Sequence, residues 1–163
     1  MTSSDQIVRT FGKRLRTRVN GILIENDKIL MVRHRSLGDA GFLWNVPGGG
    51  MDYGQSATEA LKREFEEEAG LIVKVCDFLF VHELLAKPLH AVELFFVVER
   101  VKGQLIKGLD PEMKEGEQII EDVRFMDWEE LLNLAPENKH NIFNKCNSLP
   151  DLIRKRGYFI FEK

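Results

Sequence analysis

Three glutamates in close succession, Glu64, Glu67 and Glu68, stand in a segment whose two ends carry helix signals. Ser56 with Glu59 makes a capping box, and Gly70 supplies a C′ position where the chain can turn left-handed. The pattern predicts a helix over Ser56–Ala69. At about 100° per residue, Ala57, Ala60, Leu61 and Phe65 form the inward face, and the three glutamates share that side. Glu59, Lys62 and Glu66 point the opposite way and already occupy the solvated face. Like charges gathered at a partly buried face repel and raise one another's pKa values unless a hard cation neutralises them. Carboxylate oxygens are the ligands Mg²⁺ prefers, at sites it tends to share with substrate phosphates.

Just upstream, Pro47-Gly48-Gly49-Gly50 permits close backbone approach, so its carbonyls or amides are candidates to join a metal or phosphate site. The triplet fits neither the P-loop nor the dinucleotide fingerprint. Arg14, Arg16 and Arg18 alternate along a strand-like run and project from one face, toward a phosphate-bearing ligand or toward solvent. Arg33, His34 and Arg35 pose the same choice. Trp44 or Phe42 is a candidate to stack on a base, against core packing as the plainer role. His82 and His90 read as core or surface residues.

These groups must be held by a single domain, since 163 residues leave no room for a second sizeable one. Apolar residues make up 44% of the chain and charged residues 30%, enough to bury a proper core. A net charge of −3 gives no general attraction to nucleic acid or anionic membranes. The longest apolar run, Leu94 to Val98, is far short of the ~20 residues that span a bilayer. No secretory signal pattern opens the chain, so a cytoplasmic location is expected. Cys76 and Cys146 lack metal-type spacing.

Strand-rich runs lie at Leu15–Glu25, Lys28–His34, Leu71–Val81, Ala91–Val101 and Asp122–Met126, with Asn26-Asp27 as a hairpin turn. Further helices are expected at Trp128–Leu134 and between Lys139 and Lys155. Lys102 to Gln118 reads as a long loop, and Arg154–Lys163 as an edge strand or an interface. Strands and helices mixed in this way predict an α/β domain, a sheet covered by helices.

The stretch Gly49-x5-Gln55-x7-Arg63-Glu64-Phe65-x-Glu67-Glu68-x-Gly70-Leu71 resembles the Nudix box, G-x5-E-x7-R-E-U-x-E-E-x-G-U, with U apolar. The flanks Leu43-Trp44-x-x-Pro47-Gly48-Gly49 and Trp128-Glu129-Glu130-Leu131 are similar to the family as well. The resemblance implies an α/β/α sandwich around a mixed sheet. Residues 1–163 would form one such domain, with 1–13 as an N-terminal extension and 136–163 as a C-terminal helical or edge extension. It also implies water attack at phosphorus in a nucleoside diphosphate derivative such as a nucleotide sugar, ADP-ribose or a modified nucleotide. By the same resemblance Glu64, Glu67 and Glu68, with the carbonyl of Gly48, hold Mg²⁺ or Mn²⁺, and Arg63 orients the carboxylates. Arg18, Arg33 and Trp44 are candidates for substrate binding. The general base is open among Glu67, Glu115 and Glu117. Gln55 departs from the family's usual Glu, keeping an acceptor for Arg63 but losing the charge. That departure motivates an alternative, a Nudix-like domain that binds nucleotides without cleaving them. A nucleotide is the expected partner, no membrane or specific nucleic acid is expected, and family analogy allows a homodimer.

Overall fold

In the computed structural model, residues 3–35, 37, 41–109 and 118–163 are described. Helix α1 (Ser3–Phe11) precedes strand β1 (Leu15–Ile22), where the sequence predicts only an N-terminal extension. After Leu23 the chain crosses to a second sheet as β2 (Ile24–Glu25), so the run read as Leu15–Glu25 is two strands. Asn26 and Asp27 both take positive φ, 50° and 59°, and close the expected hairpin to β3 (Lys28–Arg35). Strands β4 (Phe42–Asn45) and β5 (Gly48–Gly50) lead to α2 (Ala57–Ala69). The next hairpin, β6 (Leu71–Ala86) and β7 (Leu89–Gly103), runs beyond the expected ends of both strands and turns at Lys87-Pro88. β8 (Ile120–Met126), α3 (Trp128–Asn133), two short 3₁₀ turns, α4 (Leu149–Arg154) and β9 (Gly157–Glu162) complete the chain.

One sheet has the order β5-β1-β7-β6-β9, with β1–β7 and β6–β9 parallel and the other pairs antiparallel. The C-terminal run is therefore an edge strand. In the second sheet β3 pairs with β8 along one side, and with β2 and then β4 along the other. Helix α2 packs Leu61 and Phe65 onto Val19, Leu30, Val32 and Val98 from both sheets. A second core gathers Ile22, Phe80 and Phe95 with Met31, Trp44, Phe143 and Leu152. The domain is thus a mixed α/β sandwich. Both cysteines are free.

The caps of α2 are those the sequence predicts. Ser56 Oγ accepts from the Glu59 amide at 3.2 Å, and the Ser56 amide donates to Glu59 Oε2 at 2.9 Å. Gly70 closes the helix at φ 68°. Beyond β7 the chain returns over the last turn of α2: the amides of Ile106, Gly108 and Leu109 donate to the carbonyls of Ala69, Glu68 and Glu67 at 3.0, 2.9 and 3.2 Å. Carbonyls otherwise orphaned at a helix end are thereby satisfied, and the turn bearing the glutamates is fixed.

Candidate active site

The side of α2 that carries the carboxylates meets the glycine strand β5 at the sheet edge. Glu64 and Glu68 are buried, Glu67 is half-buried, and Glu59, Lys62 and Glu66 are exposed. Glycine lets β5 lie this close to both neighbours, because a Cβ on Gly49 would lie 2.3 Å from Glu64 Oε1 of α2 and one on Gly48 would lie 2.1 Å from the Val19 carbonyl of β1. Successive glycines face opposite ways, so the bare strand opens both to the α2 carboxylates and to the arginine-bearing face of β1.

Arg63 is the fastener of the cluster. Its Nη1 donates to Glu67 Oε2 at 2.9 Å and lies 2.9 Å from Glu64 Oε1, while Nη2 donates to the Gly50 carbonyl at 3.0 Å and to Gln55 Oε1 at 3.3 Å. Gln55 thus still accepts from Arg63. Glu68 is held from the other side, where the Gly48 amide donates to Oε2 at 2.9 Å and His34 Nε2 lies 3.3 Å from Oε1. The one guanidinium of Arg63 thus serves Glu64, Glu67 and, at 3.7 Å, Asp52. Burial, reinforced by the charge of Glu68, pushes Glu64 up to about 8. Partial burial works against the charge on Arg63, yet Glu64 and Glu67 raise its pKa on balance.

Across the glycine strand lies a second charged group, centred on Glu93 of β7. Arg18 Nε is 3.5 Å from Glu93 Oε1, and its Nη2 reaches the Gly48 carbonyl at 3.5 Å. Asn20 Nδ2 donates to Oε1 at 3.5 Å, and both His82 Nδ1 (2.9 Å) and His140 Nε2 (2.7 Å) reach Oε2. His140 Nδ1 accepts from the Ile142 amide at 3.2 Å, so its proton sits on Nε2 and points at Glu93. Burial opposes the charge, but the two histidine bonds and Arg18 hold Glu93 well below the usual carboxylate range. Burial also lowers His82. The ligand atoms of His82, Glu93 and His140 lie within 4.8 Å of one another, a grouping open to a metal, but the histidine nitrogens already serve as donors to the carboxylate.

One cavity of about 610 Å³ joins these groups. Arg18, Gly48, Arg63, Glu64, Glu67 and Glu68 all line it. Arg33 does not, and strand alternation is the reason: it turns away to pair with Glu121 at 3.3 Å and cover Phe42, while its neighbour His34 faces the cavity. Trp44 likewise lies in the core, 4% exposed, with Leu43 and Asn45 on the cavity side. The plainer core role is the one it takes. Glu115 and Glu117 fall outside the described residues. Sequence reading passed over Glu93 and His140; the available signal was a lone acid in an apolar strand, sharing its parity with Ala91 and Phe95.

The sequence model of the NUDIX domain matches residues 14–145, most of the chain. The chain belongs to the NUDIX domain family. An ADP-ribose pyrophosphatase of Methanocaldococcus jannaschii is 32% identical over 94 residues, which is 56% of this chain and 55% of that protein. An 8-oxo-dGTP diphosphatase of Buchnera aphidicola is 33% identical over 87 residues, 53% of this chain and 65% of that protein. The NUDIX chain therefore spans between about half and two thirds of the length of these relatives. Among solved structures, a NUDIX hydrolase from Nitrosomonas europaea superposes with a TM-score of 0.67 at 18% identity, covering 81% of this chain and 85% of that one, which shows the same fold. The family match leaves out α1 and β9, two elements that nevertheless contribute to the cavity wall.

Proposed function

We propose that this NUDIX chain hydrolyses the pyrophosphate linkage of a nucleoside diphosphate derivative with the help of a divalent cation, Mg²⁺ or Mn²⁺. The observation that carries the reading is the charge imbalance on α2: three carboxylates, two of them buried, stand on one side of the helix, Arg63 pairs with Glu64 and Glu67 alone of the three, and Glu64 is pushed up to about 8. The donor set suits a hard cation, being all oxygen from Glu64, Glu67, Glu68 and the Gly48 carbonyl. The names of two relatives, a pyrophosphatase and a diphosphatase, support the same chemistry.

A bound divalent cation supplies an offset for charge on the phosphate oxygens and a lower pKa for the attacking water. The chain's own residues do the positioning. Arg63 fixes the side chains of Glu64 and Glu67, and the Gly48 amide fixes Glu68. The side-chain-free β5 lets phosphate oxygens approach the backbone, with Arg18 beside them. Water attacks phosphorus, the anhydride P–O bond breaks, and the leaving phosphate keeps the bridging oxygen. The proton of the water passes to a carboxylate facing the cavity. Of those on α2, Glu67 is the most open, its side chain 27% exposed against 11% for Glu64 and 7% for Glu68. In the same reading, residues 1–163 act as one unit, with 1–13 and 136–163 as additions to it.

The test is a panel of nucleotide sugars, ADP-ribose and (deoxy)nucleoside triphosphates incubated with and without Mg²⁺ or Mn²⁺ and read by mass spectrometry. Cation-dependent release of a nucleoside monophosphate is expected. Folded protein that yields no product with either cation would overturn hydrolysis and favour a nucleotide-binding domain.

A further inference from the structure

Registered pairing sorts one face of the five-stranded sheet into rows. Deepest are Asn20, Phe95 and Phe80; next come Arg18, Glu93, His82 and Phe159; outermost are Arg16, Ala91, Leu84 and Phe161. The outer row is a floor of the cavity described above and changes character along its length. At the β1 end the Arg16 guanidinium lies over the Phe11 ring at 3.8 Å and beside Gly50, where a Cβ would be 3.2 Å from its Nη2. At the β6–β9 end the floor is Leu84 and Phe161, and Ile7 and Val8 of α1 and Leu89 of β7 also line the cavity. Adjacent strands are about 4.8 Å apart, so Leu84 on β6 lies three spacings, about 14 Å, from the glycine strand β5. A diphosphate anchored at the glycine strand and extended across β1, with a ring esterified to its far phosphate, reaches the side chain of Leu84.

We infer that α1 and β9 build an apolar subsite at the far end of the catalytic cavity, and that it takes an uncharged aromatic or aliphatic group esterified to the diphosphate. This rests on the reading of the carboxylate end as a pyrophosphate site. A polyhydroxylated sugar fits that end poorly, because Ile7, Val8, Leu84, Leu89 and Phe161 offer no donor or acceptor to replace the water its hydroxyls lose. The polar side chains nearby do not change this. His90 is tied to Glu83 at 2.6 Å, and Lys87 and Lys163, which also line the cavity, are exposed and keep their ammonium groups in solvent. Selectivity for the second half of the substrate is therefore set by the two elements that lie outside the family match.

Three probes separate the two ends: methylenebisphosphonate, whose P–C–P bridge resists hydrolysis, its benzyl monoester, and its glucosyl monoester. Affinities are measured by calorimetry in Mg²⁺ on the full chain. The benzyl ester should bind at least about tenfold tighter than the parent, from burial of the ring, and the glucosyl ester no tighter than the parent. Val8 is 40% exposed, so Val8→Asp should leave the fold intact and remove the benzyl gain while holding parent affinity within about twofold. Leu89→Asp makes the same test from the hairpin end should α1 fail to form in the first variant. Parent binding with no gain for the benzyl ester, an equal gain for the glucosyl ester, or a benzyl gain that survives both variants overturns the subsite and leaves the pyrophosphate reading standing. If none of the three probes binds, the pyrophosphate reading fails and the subsite falls with it.

Discussion

Two buried carboxylate groups flank the same glycine strand and have opposite electrostatic fates. Glu93 is enclosed by donors from Arg18, Asn20, His82 and His140 and stays ionised. On α2, Arg63 serves both Glu64 and Glu67, Glu68 has the Gly48 amide and His34 Nε2, and Glu64 is held protonated to about 8. One cluster closes its own charge balance and the other leaves it open. A closed cluster shapes structure, here by holding Arg18 against the Gly48 carbonyl. An open one demands a cation from outside.

The sharpest way to break the comparison is to neutralise one member of each cluster. Glu68→Gln should lower turnover of any substrate found in the panel by roughly a thousandfold or more, while circular dichroism and the melting temperature show the fold retained. Unchanged turnover would sink the cation reading. Glu93→Ala should do the reverse in kind, destabilising the chain by about 3–5 kcal/mol through stranded buried partners, measured by urea unfolding. A change below about 1 kcal/mol would show that the Glu93 network is not closed as described.

The pH dependence follows from the shift of Glu64. A carboxyl raised from 4.5 to about 8 keeps its proton in the native state after the unfolded chain has lost it. Its contribution to stability is therefore full below about 4.5, falls as pH rises toward 8, and is then constant. Chelator-treated protein should melt several degrees lower at pH 8 than Glu64→Gln does, relative to their difference at pH 5, and Mg²⁺ should restore the wild type chiefly at the alkaline end. Parallel melting profiles for the two proteins would contradict the open cluster. The smallest effect belongs to Gln55→Glu, which adds charge where an acceptor already meets Arg63 and should raise turnover by less than about tenfold. A gain of several hundredfold would mean that the neutral Gln is what limits the site.

Legibility divided along the same line. The helix wheel placed Glu64 and Glu68 inward and Glu59, Lys62 and Glu66 outward, as the structure has them. The capping box and Gly70 fixed both ends of α2, and Asn26-Asp27 marked its hairpin. Arg33, Trp44 and Glu93 were harder, because the sequence shows that strand residues alternate without showing which parity meets the cavity. Residues 1–13 carry weak signals, and their helix is visible only once Ile7 is seen buried at 5% exposure.

What the sequence determined alone is local: an α-helix sets the direction of each side chain by its own geometry, so spacing and caps suffice to gather three carboxylates on one side. What tertiary structure decided is which face of each strand looks inward, because that depends on partners distant in the chain. Pairing of β1 with β7, and of β7 with β6, brought Arg18, Glu93 and His82 into one row, and pairing of β6 with β9 set Phe161 beside Leu84. The carboxylate cluster was thus written in one stretch of chain, and the cavity that surrounds it was made by strands that meet only in the folded sheet.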